Sequence, residues 1–228
     1  MELWEKRNAW IAHFDILGFK NFLENDGGSL PIAVLQSQID DLIKNLKQSV
    51  ATSDESIDYF VFSDTFILFS KSDQVNGYPS LLSASKSLIR KSISMGLPIR
   101  GAISYGDCVF GHQNKILMGK AFLESHDYGE DQNWLGLILT PSATQNLLSH
   151  ELYPLRHGFI NKDIPLRKLS DNLEFVYAYT FINGSTNFEC TLLSKLEELK
   201  CFAPDSVKIK YTNTINFIKK HYVVRKSS

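Results

Sequence analysis

The sequence predicts an α+β protein in which helices pack on one sheet with ferredoxin-like connectivity. Apolar patterns between residues 9 and 110 follow the order strand, helix, paired strands, helix and strand, as that sandwich requires. The chain has 228 residues, 43% of them hydrophobic, which suits one domain with a complete core. We expect residues 1–150 to form this core and residues 151–228 to extend the same domain with strands and helices.

The strands of the core are predicted from short runs rich in apolar and β-branched residues. Ala9 to Asp15 is predicted as a buried strand that ends in an acid, and Leu97 to Phe110 as another strand. Between them, Ile57 to Ser70 is dense in Phe, Val and Ile but is interrupted by Ser63-Asp64-Thr65. This interruption predicts a hairpin with Asp64 at its tip.

The helices of the core are predicted from apolar residues at three- and four-residue spacing. Pro31 to about Val50 and Pro79 to Met95 have this spacing, and Gly96 is placed to end the second helix. A turn and helix start are predicted over Leu17 to Asn25, followed by a loop over Asp26 to Ser29.

The later elements are predicted to be shorter. In order, they are a strand that runs into a helix, a strand, a short helix, a further strand and two terminal helices. Their limits are Ile116 to Asp127, Trp134 to Thr140, a helix from Pro141, Leu173 to Ala178, Phe188 to Lys200 and Ser206 to His221.

Charge and cysteine content exclude several function classes. The net charge of −1 gives no long-range attraction for a nucleic-acid backbone, so no nucleic acid is expected as a partner. Three cysteines without CxxC spacing argue against a disulfide framework or a zinc site and favour a reducing, cytoplasmic environment. The polar N-terminus is unlike a signal peptide, and no apolar run approaches the ~20 residues of a membrane span.

The C-terminal stretch after Asp205 is basic and contains no acid. A solvated helix face and tail is the favoured explanation, and a contact with a partner or with nucleic acid is the alternative. The residues concerned are Lys208, Lys210, Lys219, Lys220, Arg225 and Lys226.

The segment Phe14-Asp15-Ile16-Leu17-Gly18-Phe19 places a carboxylate at the end of an apolar strand. A buried carboxylate is costly unless it is paired or binds a metal. Gly18 permits close approach of the backbone to a ligand, and a helix that begins here offers N–H groups to phosphate. Capping of that helix by Asp15 is the alternative explanation.

Asp64 lies at the predicted hairpin tip, where Asp is also an ordinary turn residue. Neighbouring strands of the sandwich would bring Asp15 and Asp64 side by side, and two adjacent carboxylates repel each other. A divalent cation relieves that repulsion, and paired ions suit in-line displacement at phosphorus. The pair therefore predicts a metal site more strongly than either acid alone.

Arg100 interrupts the apolar strand Pro98-Ile99-Arg100-Gly101-Ala102-Ile103-Ser104-Tyr105-Gly106. Its guanidinium group can stack, pair with Asp15 or Asp64, or bind a phosphate. The residue types alone leave these alternatives open.

Together these segments resemble the class III adenylate and guanylate cyclases over roughly residues 9 to 150. The resemblance rests on the order Asp-Ile-x-Gly-Phe, an acid on a hairpin, Arg-Gly-x-x-x-x-Gly, and Gly119 opening a helix. It implies the fold of that catalytic domain and a homodimer with active sites at the interface. It also implies two Mn²⁺ or Mg²⁺ ions per site, held by Asp15, Asp64 and the carbonyl of Ile16. The triphosphate would contact Phe14, Leu17, Gly18, Phe19 and Arg100.

Several positions depart from that family. The asparagine and arginine that stabilise the transition state in purine cyclases correspond to Leu123 and Asp127, and the base-selecting positions to Phe60 and Ile116. Tyr59 and Lys120 are the remaining candidates for base or phosphate contacts. The substrate is therefore expected to differ from that of an ordinary adenylate cyclase.

The pattern is most similar to the short pyrimidine cyclases of bacterial Pycsar antiphage systems. The segments that carry this similarity are His-Phe-Asp-Ile-Leu-Gly-Phe, Phe-Ser-Asp-Thr, Pro-Ile-Arg-Gly-Ala-Ile-Ser-Tyr-Gly, and Gly-Lys-Ala-Phe running to Gln-Asn-Trp-Leu-Gly. They imply conversion of UTP or CTP to the 3′,5′-cyclic nucleotide and pyrophosphate, and a separate effector that the product activates. A catalytically silent nucleotide-binding or sensor module and a purine cyclase are the alternatives.

Overall fold

The computed structural model describes residues 4–19, 32–52, 56–73, 77–111, 116–167, 173–181 and 186–226. The predicted loop at Asp26 to Ser29, the helix start at Pro31 and most of the segment Leu17 to Asn25 lie outside these ranges. Within the described residues, no helix has both the length and the apolar character that crossing a bilayer requires.

Eight strands and six α-helices are described. The strands are β1 Glu5–Ile16, β2 Ile57–Phe62, β3 Thr65–Ser70, β4 Ile99–Gly111, β5 Ile116–Met118, β6 Leu137–Leu139, β7 Phe159–Ile160 and β8 Tyr177–Tyr179. The helices are α1 Ile32–Ala51, α2 Gly77–Met95, α3 Lys120–Glu130, α4 Pro141–Ser149, α5 Thr186–Phe202 and α6 Asp205–Lys226. Short 3₁₀ turns cover Pro154–His157 and Leu173–Phe175.

The strands form one sheet in the order β2-β3-β1-β4-β6-β8-β7, with β5 paired to the far end of β4. All described pairings are antiparallel except that between β4 and β6. The run β2-β3-β1-β4 is the strand order of a ferredoxin-like sandwich, so the predicted α+β fold class is confirmed. β7 and β8 come from beyond residue 150 and extend the same sheet.

Alternation along β1 sends its side chains to the two faces of the sheet. Trp10, Ala12, Phe14 and Ile16 join the larger core, which includes residues of α1 and α2. Ala9 and Ile11 join a smaller cluster with Ala121 and Phe122 of α3. Asp15 continues this second series, so it lies on the face of the sheet that α3 covers.

Two predicted strands are shorter in the structure. The segment Trp134 to Thr140 is extended only over Leu137–Leu139, because the Trp134 ring folds back over Gly136, where a Cβ would collide with it. The segment Leu173 to Ala178 begins with a 3₁₀ turn, in which the Val176 N–H bonds to the Leu173 carbonyl, before β8 starts.

Candidate active site

The end of β1 brings the two predicted acids together. In the strand register Asp15 lies between Thr65 of β3 and Arg100 of β4. Asp64 occupies the β2–β3 turn, and its carbonyl accepts the Ile16 N–H at 3.0 Å. The preceding turn residue, Ser63, has φ 55°, a left-handed conformation that makes the turn tight. The hairpin therefore places Asp64 at the strand end where Asp15 lies.

Arg100 is buried behind Asp15, with 3% of its surface exposed. Its guanidinium group donates to Asp15 Oδ2 at 3.4 Å and to the Glu130 carboxylate. It also donates to the main-chain carbonyls of Glu130 at 2.8 Å and Gln132 at 3.1 Å. The ion pair with Asp15 is one of the alternatives that the sequence left open, and in this structure it holds the carboxylate in place.

Negative charge is crowded at this site. The pKa of Asp15 is raised to about 6, mainly by burial, and the nearby Glu130 and Asp64 add to the shift while Arg100 opposes it. Burial also disfavours the charge on Glu130, but the Arg100 guanidinium holds the pKa of Glu130 below its ordinary value. Asp15 and Glu130 thus share one arginine at the strand end, and Asp64 lies close enough to repel Asp15.

The turn after Asp15 is the predicted phosphate-binding segment. Gly18 has φ +77°, a conformation that only glycine adopts without strain. The Leu17 N–H is bonded to the Pro98 carbonyl at 2.8 Å, and the Leu17 side chain is buried. Phe14 is fully buried and packs over Gly101, where a Cβ would collide with its ring. Leu17 and Phe14 are therefore engaged in contacts within the fold.

Helix α6 packs against this turn and brings a lysine to the acids. The Val207 side chain lies 3.6 Å from where a Cβ on Gly18 would be, and Thr214 Oγ1 accepts the Leu135 N–H at 2.8 Å. Lys210 lies between these contacts on the same helix face and is only 9% exposed. The pKa of Lys210 is lowered to about 8, mainly by burial; Arg100 and Arg167 add to this shift, whereas Glu130 and Asp15 oppose it.

Lys210 departs from the solvated face that the basic C-terminal stretch predicts. Lys208 and Lys219 of the same stretch have exposed side chains that pair with Asp205 and Glu197. The favoured explanation is therefore correct for these two lysines and wrong for Lys210.

Two histidines also lie on the Asp15 face. His13 precedes Asp15 by two residues in β1, and its ring centroid is 5.2 Å from that of His126 in α3. The pKa of His13 is lowered to about 4, mainly by burial and then by His126, so its imidazole is neutral near pH 7.

The other predicted contact residues lie elsewhere. The register Tyr59–Leu68–Ala12 puts Tyr59 on the opposite face of the sheet from Asp15, packed on the larger core. Lys120 begins α3, whereas Glu130, at the other end of that helix, lies at Asp15. Ten residues of helix separate the two ends by roughly 15 Å. Within one chain, therefore, neither residue joins the acids.

Three of the positions where this chain departs from the cyclase pattern lie on the Asp15 face, and two of these are exposed. Leu123 is 59% exposed on α3, and the Asp127 side chain, one turn later, is 74% exposed. Phe60 lies on the same face as His13, through the register Phe60–Ile67–His13. None of the three supplies a cation to the Asp15 cluster.

The donor set suits hard divalent cations. Carboxylate oxygens are the ligands that Mg²⁺ and Mn²⁺ prefer, and Asp15 has two further carboxylates, those of Glu130 and Asp64, as neighbours. Across the described ranges, no three His, Cys, Asp or Glu side chains converge with metal-ligand geometry. An ion here would need oxygen ligands besides Asp15 and Asp64, from the main chain or from a bound phosphate.

Sequence reasoning did not identify Glu130, His13 or Lys210. His13 had a usable signal, because residues two apart in a strand share a face. The sequence gives no comparable signal for Glu130 or Lys210. They lie about 30 and about 110 positions after Arg100 in the chain, and helix packing brings each of them to the site.

Comparison with known proteins identifies the fold. No protein-family profile matches the sequence, and no characterised protein matches it. Three solved structures share the fold. The guanylyl cyclase Cya2 aligns with a TM-score of 0.50 and 9% identity, over 62% of this chain and 78% of that one. The catalytic core of a rhodopsin-guanylyl cyclase with converted specificity, in complex with ATPαS, aligns with a TM-score of 0.53 and 9% identity, over 69% of this chain and 86% of that one.

The third is an adenylate/guanylate cyclase/hydrolase from Silicibacter pomeroyi, with a TM-score of 0.53 and 13% identity over 77% of this chain and 98% of that one. At these identities the similarity concerns the fold. The chain has the α+β fold of class III cyclase catalytic domains.

Proposed function

We propose that this protein is a pyrimidine nucleotide cyclase that converts UTP or CTP to the 3′,5′-cyclic nucleotide and pyrophosphate. The observation that carries the proposal is the convergence of Asp15 and Asp64 at one strand end of a cyclase fold. The segments similar to Pycsar cyclases, and the absence of purine-cyclase residues at Leu123 and Asp127, support a pyrimidine substrate. An antiphage role with a separate effector follows from the same resemblance.

In the proposed reaction the ribose 3′-oxygen attacks the α-phosphorus of its own nucleotide. A 3′-O–P bond forms, the bond from the α-phosphorus to the bridging oxygen breaks, and pyrophosphate leaves. Two Mn²⁺ or Mg²⁺ ions, held by Asp15, Asp64 and the Ile16 carbonyl, would supply acidity to the 3′-hydroxyl and offset phosphate charge.

Other residues of the chain would position Asp15 and the triphosphate and supply positive charge. Arg100, which is itself bonded to Glu130, holds Asp15 in a fixed orientation, and the main chain at Gly18 and Phe19 would bind the triphosphate. Arg100 can contact the leaving pyrophosphate only if its guanidinium group gives up some of its hydrogen bonds to Asp15, Glu130 and Gln132. Lys210 lies at the cluster from α6 and offers positive charge to the developing pyrophosphate in its place.

A homodimer is part of the proposal. Two large apolar side chains are exposed near the acids: Phe62, which is 79% exposed and shares the Asp15 face through Thr65, and Leu123 on α3. Exposed apolar groups around a site favour burial by a partner subunit. Activity per chain is expected to fall on dilution below the dimer dissociation constant.

The test is turnover of the purified chain. Each of ATP, GTP, CTP and UTP is incubated with Mn²⁺ or Mg²⁺, and cyclic nucleotide and pyrophosphate are quantified by mass spectrometry. We expect product from UTP or CTP. Product from ATP or GTP alone would replace the pyrimidine assignment with a purine one.

A catalytically silent nucleotide-binding module is the second candidate. The exposure of Leu123 and Asp127, and the enclosure of Arg100 by its own chain, favour it. This candidate predicts metal-dependent binding of a fluorescent nucleotide without any product. Binding and turnover measured on the same preparation separate the two candidates.

A further inference from the structure

A basic cleft lies between α1 and α2, away from the acids. Its volume is about 460 Å³, and α2 contributes three cationic side chains, Lys86, Arg90 and Lys91. Three serine hydroxyls of α2 and the amide of Asn45 from α1 complete the lining, and none of these described residues is a carboxylate. The whole of α2 has no acidic residue. The described lining therefore consists of cations and neutral hydrogen-bonding groups.

Positive charge is crowded inside this cleft. Lys86 and Arg90 are one helical turn apart, and both lie over the Tyr179 ring, at 4.9 and 5.4 Å from its centroid. The Lys86 ammonium donates to the His157 carbonyl at 2.7 Å, so its partners there are neutral. The pKa of Lys86 is lowered to about 8, mainly by burial and also by Arg90. Clustered cationic side chains of this kind attract anions.

Neutral donors border the cations. Ser87 Oγ bonds to Asn45 Oδ1 at 3.2 Å, which joins α1 to α2 across the cleft. Ser83 and Ser94 are exposed one turn on either side. Phosphate oxygens are bound in proteins by this combination of charged and hydroxyl donors. The size of the cleft is that of a small-ligand pocket.

We propose that this cleft binds a small phosphorylated molecule, with its phosphate among Lys86, Arg90 and Lys91 and the remainder along the serines toward Asn45. The site shares no residue with the acid cluster, and the proposal does not depend on cyclase activity. Because Lys86 and Arg90 also contact His157 and Tyr179, a bound phosphate would strengthen the connection between α2 and the β7–β8 edge.

The test is calorimetric titration of the full chain with inorganic pyrophosphate in EDTA, which removes the divalent ions that the catalytic site would need. We expect saturable binding that Lys86→Met and Lys91→Gln each weaken about tenfold, the effect of one charge-assisted contact. Lys91 is exposed, so its variant tests the site even where Lys86→Met disturbs folding through His157. Lys44→Gln is the matched control, because Lys44 is an exposed lysine beside Asn45 that does not line the cleft.

Several results would overturn the proposal. They are the absence of saturable binding by the wild-type chain, equal weakening by Lys44→Gln, and loss of binding in Asp64→Asn, which would locate pyrophosphate at the acids. Tighter binding of a short oligonucleotide with the same dependence on Lys91 would overturn the small-molecule assignment.

Discussion

The acid cluster and the basic cleft are opposite in charge, but in both a partly buried ionisable group has neighbours of the same charge. At the first, Glu130 and Asp64 crowd the half-buried Asp15, whose pKa rises to about 6. At the second, Arg90 crowds the half-buried Lys86, whose pKa falls to about 8. Burial is the largest cause of both shifts. Among the described residues, each region groups charged side chains of one sign where a ligand of the other sign could bind.

The difference between the two regions lies in how firmly the charges are held. Asp15 is fixed by cross-strand neighbours on both sides and by the buried Arg100. Lys91 and two of the serines of the cleft are exposed on a helix surface. Catalysis requires reacting groups to be held within a fraction of an ångström, whereas binding tolerates mobile side chains. This contrast is why we assign chemistry to the acids and binding to the cleft.

Removal of one acid is the largest expected effect. Asp64→Ala should lower cyclase activity at least about a hundredfold, as loss of a group that stabilises transition-state charge does. Asp58→Asn is the matched control in the same hairpin, since an Asn keeps the acceptor for the Tyr59 N–H. Equal activity of wild type and Asp64→Ala, with circular dichroism unchanged, would show that chemistry does not occur at this strand end.

Lys210 tests whether the acid cluster works with a cation from α6. Lys210→Met should reduce turnover about tenfold or more with a smaller change in KM, because charge on pyrophosphate develops in the transition state. Lys210→Arg should restore part of the rate. Lys219→Met, an exposed position on the same helix, is the control. If Lys210 has only a structural role, Lys210→Met and Lys210→Arg should both lower the melting temperature, and the turnover rate should not depend on the charge at this position.

Asp15→Asn tests the cost of crowding. The folded-state pKa of Asp15 lies above its ordinary value, so its ionisation disfavours folding most fully above pH 6. In EDTA at pH 7.5, Asp15→Asn should therefore stabilise the chain by about 1–2 kcal/mol, a rise of a few degrees in melting temperature. Mn²⁺ should raise the melting temperature of the wild type more than that of the variant. Destabilisation in EDTA would show that the bond to Arg100 outweighs the repulsion.

Lys91→Gln provides the corresponding measurement in the cleft. Because the Lys91 side chain is exposed, its charge contributes less to crowding, and its loss should change stability by under about 0.5 kcal/mol. Activity with nucleotide should be unchanged. A loss of cyclase activity comparable to that of Asp64→Ala would mean that the cleft is coupled to the active site.

Local patterns predicted the acid cluster better than the basic cleft. Asp15 and Asp64 each end or interrupt an apolar strand, and antiparallel pairing of neighbouring strands brings such positions together. Glu130 and Lys210 reach the cluster through packing of α3 and α6, which no periodicity specifies. Lys86, Arg90 and Lys91 appear in the sequence as the ordinary polar face of an amphipathic helix. The approach of α1, which contributes Asn45, makes that face a cleft.

The smallest effects expected are two pH dependences of opposite sign. Mn²⁺ competes with a proton for Asp15, so Mn²⁺ affinity should fall as the pH decreases through about 6. Sulfate, whose charge is constant over this range, should bind the cleft with affinity that falls as the pH rises above about 8, because Lys86 loses its proton. Among the residues that the structure describes, the other ionisable groups around Lys86 are Arg90 and Lys91 on α2, His157 in the 3₁₀ turn and Tyr179 in β8.

Calorimetry between pH 5 and pH 9.5 measures both dependences on one preparation. Asp15→Asn should remove the acid-side fall in Mn²⁺ affinity while leaving sulfate binding as in the wild type, and Lys86→Met should do the converse. His157 is a neutral neighbour above pH 7, because burial and Lys86 lower its pKa, so it does not contribute to the alkaline fall. If sulfate affinity still falls at alkaline pH in Lys86→Met, the titrating group is a different one. The comparison of Lys86 with Asp15 as the titrating groups of the two regions would then be wrong.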